Sequence, residues 1–210
     1  VAQFAKDHSL GGIILFDYDY QAKSYDNNIE SPTQVTALCQ AIHDSPSCPL
    51  IFIDQEGGKV RRLKESKGFA PLPSAKAMGK LSIQEQESLL QKSYAEMKAL
   101  GIDVALAPVI DIDYNPTNPD IGAVERSFSA DADCVLQSAR TCLRTAGSQG
   151  LGLCLKHFPG LGGARTNSHH DLTYLGASIP QEQLELFYEL APQTPGQCVL
   201  ISHGIVDEWD

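Results

Sequence analysis

The chain is predicted to adopt an α/β fold built on parallel strands, because short apolar runs recur along its 210 residues and a stretch of helical periodicity separates each from the next. A third observation chooses among such folds. The runs begin near residues 13, 50, 104, 153 and 198, about 46 residues apart on average, and the segments that follow them are long. Long loops after strands suit a closed barrel, whose site is assembled at the carboxyl ends of its strands, better than an open doubly wound sheet.

Each element carries its own signal. Ile13 to Phe16 is a β-rich run after Gly11 and Gly12. Ser31 and Pro32 then offer an N-cap and first-turn proline for a helix with Val35, Leu38, Cys39 and Ile42 on one face. Leu50 to Ile53 repeats the strand signal. Ser82 with Glu85 makes a capping box for a helix carrying Leu89, Leu90, Met97 and Leu100, which Gly101 stops. Val104 to Ala107 is the next strand. Asp131 to Ala146 reads as a helix with Val135, Leu136, Ala139, Cys142 and Leu143 on one side and Gly147 and Gly150 after it. Leu153 to Leu155 is a strand, Pro180 starts a helix with Leu184, Phe187 and Leu190, and Cys198 to Ile201 is the last strand. Eight such units need about 370 residues, so the expectation is an incomplete (β/α)8 TIM barrel with about five units, in a single domain over residues 1–210.

Composition narrows the function classes. Hydrophobic residues make up 42% and charged residues 20%, which excludes a disordered or collagen-like chain. A net charge of −10 without a basic face opposes nucleic-acid binding, which needs clustered cations to release counterions. No apolar run approaches the ~18 residues of a membrane span. The six cysteines are scattered with no CxxC pair and read as small core residues rather than as a disulfide framework or metal site. That points to a reducing, cytoplasmic setting, although a cleaved leader would leave no trace and a periplasmic or secreted location stays open. Gly160, Gly162 and Gly163 do not make a nucleotide fingerprint, and no cofactor or metal is expected.

The chemistry-bearing residues cluster just after the apolar runs. Asp54 follows Ile51 to Ile53, where its carboxylate either accepts hydrogen bonds from substrate hydroxyls or caps the turn at Gly57 and Gly58. Arg61 and Arg62 read as a solvated pair or as part of a site with it. Asp111 and Asp113 follow the third strand. Behind them Arg126 offers a fixed guanidinium fork for a carboxylate or an acyl oxygen, or else a tether to Glu125. Lys156 and His157 end the fourth strand, and a buried lysine there demands a partner. His169 and His170 sit in a loop, where imidazole is suited to acid/base work, and His203 ends the last strand.

Taken in order, GGIILF (11–16), IDQEGGKVRRL (53–63) with LPSAKAMG (72–79), APVIDI (107–112), ERSF (125–128) and KHFPG through NSH (156–169) resemble glycoside hydrolase family 3, in its bacterial β-N-acetylhexosaminidase branch. The resemblance implies a (β/α)8 barrel and retaining hydrolysis of terminal β-linked N-acetylglucosamine from cell-wall or chitin fragments. It implies a small saccharide as partner, with Asp54, Arg62, Arg126, Lys156 and His157 as substrate-binding residues and His169 as the acid/base. Asn167 stands where the family usually has an aspartate paired with that histidine, and Leu161 where it often has a second histidine. Asp171 is a candidate source of the missing charge. The family's nucleophilic aspartate is expected on the strand after Ser202 and His203, beyond residue 210, and a further family strand is expected before residue 11, so the chain reads as a barrel trimmed at both ends. A homologue that binds sugar without cleaving it, and a β-glucosidase or phosphorylase on the same scaffold, are the alternatives.

Overall fold

The apolar runs at Gly12–Leu15, Leu50–Ile53, Val104–Ala105, Gly152–Phe158 and Cys198–Ile201 form one sheet, and each lies beside the run that precedes it in the chain. Every pairing is parallel. The structure, a computed structural model, describes residues 2–25, 27–166, 173–194, 196 and 198–209. A doubly wound sheet reverses its strand order at a switch point. Here the order never reverses, so the sheet winds in one direction, as in part of a (β/α)8 barrel.

Helices Pro32–His43, Ile83–Leu100, Ala132–Gln149 and Gln181–Leu190 connect the successive strands. Their ends follow the local chemistry. Ser31 accepts from the Gln34 amide, Ser82 and Glu85 form the reciprocal capping box, and Asp131 accepts from the Cys134 amide. Gly101 (φ 90) and Gly150 (φ 65) end two helices in the left-handed region that glycine enters without a Cβ penalty. The third helix runs through Gly147 to Gln149, three residues beyond Ala146, and Gly150 caps it. An interior glycine costs about 1 kcal/mol relative to alanine, less than the burial of Val135, Ala139, Cys142 and Ala146 on the same face returns.

These helical faces and the strand residues Leu15, Ile51, Ile53, Ala105, Leu153 and Leu155 make one continuous core. Cys39, Cys142 and Cys154 lie in the interior as small apolar groups, whereas Cys48 is exposed; all six thiols are free. No described helix is long and apolar enough to cross a membrane.

Three features depart from the periodicity. Residues Gln55–Gly57 and Val60–Arg61 form a small antiparallel hairpin directly after the second strand. It is held by the buried Gln55 side chain, which accepts from the Arg62 and Leu63 amides and donates to the Leu63 carbonyl. Gly57 (φ 97) is forced by space as well as by backbone, since a Cβ would lie 2.1 Å from the Pro73 carbonyl oxygen. The third strand is shorter than expected, ending at Ala105; Leu106 to Ile112 continue as irregular chain through Pro108, which has no amide to donate. The fourth strand is longer, reaching Phe158, and so carries Lys156 and His157 on the sheet itself. A separate parallel pair joins Thr173–Gly176 to Gly204–Val206.

Candidate active site

The hairpin places Asp54, Glu56 and Arg62 over the carboxyl end of the sheet, and the fourth strand brings Lys156 and His157 to the same place. Lys156 is 2% exposed, which a lysine tolerates only when paired. Its Nζ lies 2.8 Å from Asp54 Oδ1 and 2.5 Å from Glu56 Oε1. Arg126 lays its fork on the same Glu56 carboxylate, Nε to Oε2 at 2.7 Å and Nη2 to Oε1 at 2.8 Å, and Nη1 donates to the Asp120 carbonyl. Glu56 therefore joins two site cations through one carboxylate. Glu125 is not the tether of Arg126; it accepts from the Ser74 hydroxyl instead.

Arg62 donates to Asp54 Oδ2 at 3.0 Å, lies 3.5 Å from Asp17, and rests over the Phe16 ring at 4.0 Å. Asp17 is fully buried and pairs at 2.6 Å with Lys64. Arg61, by contrast, turns outward to Glu65.

His157 has a tautomer that its partners dictate. Arg126 Nη2 stands 2.9 Å from Nε2, and because a guanidinium can only donate, Nε2 must accept. The proton then sits on Nδ1, which donates to Asp111 Oδ2 at 2.7 Å. The other Asp111 oxygen takes the Leu161 amide at 2.7 Å, so one buried carboxylate fixes both the ring and the start of the loop that follows.

Burial would raise the Glu56 pKa, but Lys156 and Arg126 outweigh it and hold the carboxyl down at about 2. Asp54 behaves alike: burial opposes ionisation, and Lys156 and Arg62 pull its pKa below the usual value. Four cations (Arg62, Lys64, Arg126, Lys156) meet four carboxylates (Asp17, Asp54, Glu56, Asp111). The result is a rigid set of hydrogen-bonding groups with no net charge, suited to a neutral, hydroxyl-rich ligand rather than to a polyanion.

Asp54, Arg62, Arg126, Lys156 and His157 all line one cleft of about 400 Å³, which Ser202 and His203 line as well. That volume is in the range of small-molecule sites. Leu161 also lines it, packing on Val109 and Ile121. A larger hollow of about 530 Å³ by Tyr114, Asn115 and Arg165 is a weaker candidate, because Tyr114 and Asn115 spend their polar atoms on Glu182, Thr117 and the Ala164 carbonyl. His169 and Asn167 lie outside the described residues, as does Asp171. Sequence reasoning did not single out Asp17 or Lys64, and it missed the bridging part of Glu56. Asp17 follows the first strand as Asp54 follows the second, which is the signal that could have found it.

The family model described as the glycosyl hydrolase family 3 N-terminal domain matches residues 1–210. A beta-hexosaminidase of Bordetella avium is 35% identical over 171 residues, covering 78% of this chain and 45% of that protein. One of Thiobacillus denitrificans is 33% identical, covering 79% and 45%. The chain thus spans about half the length of the curated relatives it matches. Among solved structures, NagZ from Neisseria gonorrhoeae superposes with a TM-score of 0.84 at 26% identity, over 100% of this chain and 60% of that one. A β-N-acetylglucosaminidase from Paenibacillus superposes with 0.83 at 29% identity, over 98% and 38%. Sequence, sheet order and strand-end site agree: the chain belongs to glycosyl hydrolase family 3, as an N-terminal barrel domain.

Proposed function

We propose that the product of the full reading frame containing this chain removes terminal β-linked N-acetylglucosamine from cell-wall or chitin-derived saccharides, with retention of configuration. The observation that carries this reading is the convergence of Asp54, Arg62, Arg126, Lys156 and His157 on one cleft at the strand ends, where the cations are paired with carboxylates. Asp54 and Lys156 would hold ring hydroxyls, and Arg126 and His157 the hydroxyl or acetamido oxygens beside them. The relatives named beta-hexosaminidase, and the Neisseria NagZ solved with N-trifluoroacetyl-D-glucosamine, support the same choice of sugar. His169 is the acid/base in this reading, Asn167 orients it, and the nucleophilic carboxylate that retention requires is assigned to sequence beyond residue 210. Six free thiols favour a cytoplasmic setting.

The test is release of N-acetylglucosamine from a chromogenic N-acetyl-β-glucosaminide. Turnover with the β-anomer formed first is expected, and His169→Ala should slow it by about 10² to 10⁴-fold, the range for losing an acid/base group. A rate unchanged in His169→Ala removes that residue from the mechanism. Leu161 and Asn167, in place of a histidine and an aspartate, favour a second reading in which the cleft binds sugar without cleaving it; saturable sugar binding without turnover would select it. Asn167→Asp should raise the rate if a missing countercharge limits the first reading.

A further inference from the structure

Two of the six thiols face each other across the sheet. Cys154 on the fourth strand and Cys198 on the fifth are register partners in a parallel pairing, and Cys198 Sγ donates to Cys154 Sγ at 2.6 Å. Neighbouring strands lie about 4.7 to 4.9 Å apart, inside the ~4.4 to 6.8 Å between Cα atoms that a disulfide spans. The two sulfurs can therefore bond without movement of the strands. As small apolar groups either would fill its place alone; on paired positions they are also set for thiol–disulfide chemistry.

Alternation along the strands places the pair. Leu153, Leu155 and Val199 pack into the helical core, so Cys154 and Cys198 turn to the opposite, inner face of the sheet together with Lys156 and Leu200. Lys156 and Leu200 are the next partners on that face, and both line the cleft. The thiols thus lie one layer beneath the cleft, about 7 Å back along the strands. Beyond Lys156 the register shifts before Phe158 pairs with Ile201. The pair therefore sits in the last regular stretch before the strand ends that carry His157, Ser202 and His203 into the cleft. Cys154 is 1% exposed, whereas Cys198 is half-buried.

We propose that Cys154 and Cys198 are a redox-active pair that a hydroperoxide closes to a disulfide, locking the fifth strand to the fourth beneath the cleft. The Cys198 sulfur, as thiolate, attacks one oxygen of hydrogen peroxide; the O–O bond breaks, the departing hydroxide takes up the thiol proton as water, and Cys198 becomes a sulfenic acid. The Cys154 sulfur then attacks the Cys198 sulfur, the S–O bond breaks, and the hydroxyl leaves with the Cys154 proton as a second water. In sum, two thiols give up two electrons and two protons, and one peroxide is reduced to two waters. A dithiol reductant reopens the bond by exchange. The order follows exposure: Cys198 is the sulfur that meets the oxidant, while burial pushes the Cys154 thiol up and makes it the resolving partner. This chemistry uses no group of the sugar site and stands apart from the hydrolase reading.

The experiment treats the product of the full reading frame with a small excess of hydrogen peroxide, alkylates the remaining thiols and maps the unreduced digest by mass spectrometry. The expected product is the Cys154 peptide joined to the Cys198 peptide, separated again by dithiothreitol. The thermal midpoint should rise by about 2 to 8 °C, because the bond constrains the unfolded chain between the two cysteines. Cys154→Ala and Cys198→Ala should each abolish the joined peptide and the shift, whereas Cys48→Ala, at an exposed thiol, should keep both. The mapping needs no variant, so a substitution that fails to fold leaves the test intact. Both thiols recovered alkylated after treatment, either one joined to a different cysteine, or sulfinic acid at Cys198 beside a free Cys154 overturns the pair. A joined peptide with no change in midpoint overturns the lock.

Discussion

Asp111 shows how a residue that need not touch substrate can govern the cleft. It accepts two hydrogen bonds, from His157 Nδ1 and the Leu161 amide, and it is fully buried. In Asp111→Asn one oxygen becomes a donor, and either orientation of the amide fails: the NH2 faces the Leu161 N–H, or it drives the His157 proton onto Nε2, against Arg126. The expected cost is about 1.5 to 3 kcal/mol in sugar binding, the range for hydrogen bonds to charged groups, measured by titration with N-acetylglucosamine. Glu56→Gln leaves Lys156 and Arg126 short of their shared countercharge and should lower folding stability by about 3 to 5 kcal/mol in urea denaturation. The five residues that line the cleft were legible in the sequence as a candidate cluster because each directly follows an apolar run or lies in one of the matched motifs. Their supports were not. Glu56 finds Lys156 and Arg126, and Asp17 finds Arg62 and Lys64, only once the sheet order has brought distant strand ends together.

Among elements, the helices were readable and the hairpin was not. Ser31, Ser82, Asp131, Gly101 and Gly150 announce helix ends through local hydrogen-bond chemistry that needs no tertiary partner. Strands of three and two residues, as at Gln55–Gly57 and Val60–Arg61, are too short to show a period, and what holds them is the buried Gln55 amide. The loop after the fourth strand supplies an element-scale test with an internal control. A Cβ on Gly162 would lie 1.7 Å from the Ile112 carbonyl oxygen, whereas one on Gly163 meets nothing within 4 Å. Gly162→Ala should therefore lose about 1 to 3 kcal/mol of stability, as overpacking does, and Gly163→Ala much less. Equal midpoints in thermal denaturation would mean that this loop does not press on the 107–113 segment.

For the whole molecule, the paired charges at the strand ends tie stability to pH. The Glu56 pKa in the folded protein is about 2, below its ordinary value of 4.5, and that of Asp54 is also lowered. A depressed carboxyl pKa adds stability that is fully present above the unfolded value and is lost as pH falls toward the folded one. For Glu56 the amount is on the order of 3 kcal/mol, and the loss should fall between about pH 4.5 and 2, seen as a falling urea midpoint. A midpoint flat across that window would mean that these ion pairs form equally in the unfolded chain. The sheet order and the cleft of paired charges together make the central claim that successive strand ends assemble a single sugar site. Calorimetric titration of N-acetylglucosamine into the full-reading-frame protein and its Asp54→Asn variant tests it most directly. Saturable binding that weakens about 10- to 100-fold in the variant, with an unchanged circular dichroism spectrum, is the expected result; binding of equal strength in both proteins would contradict it.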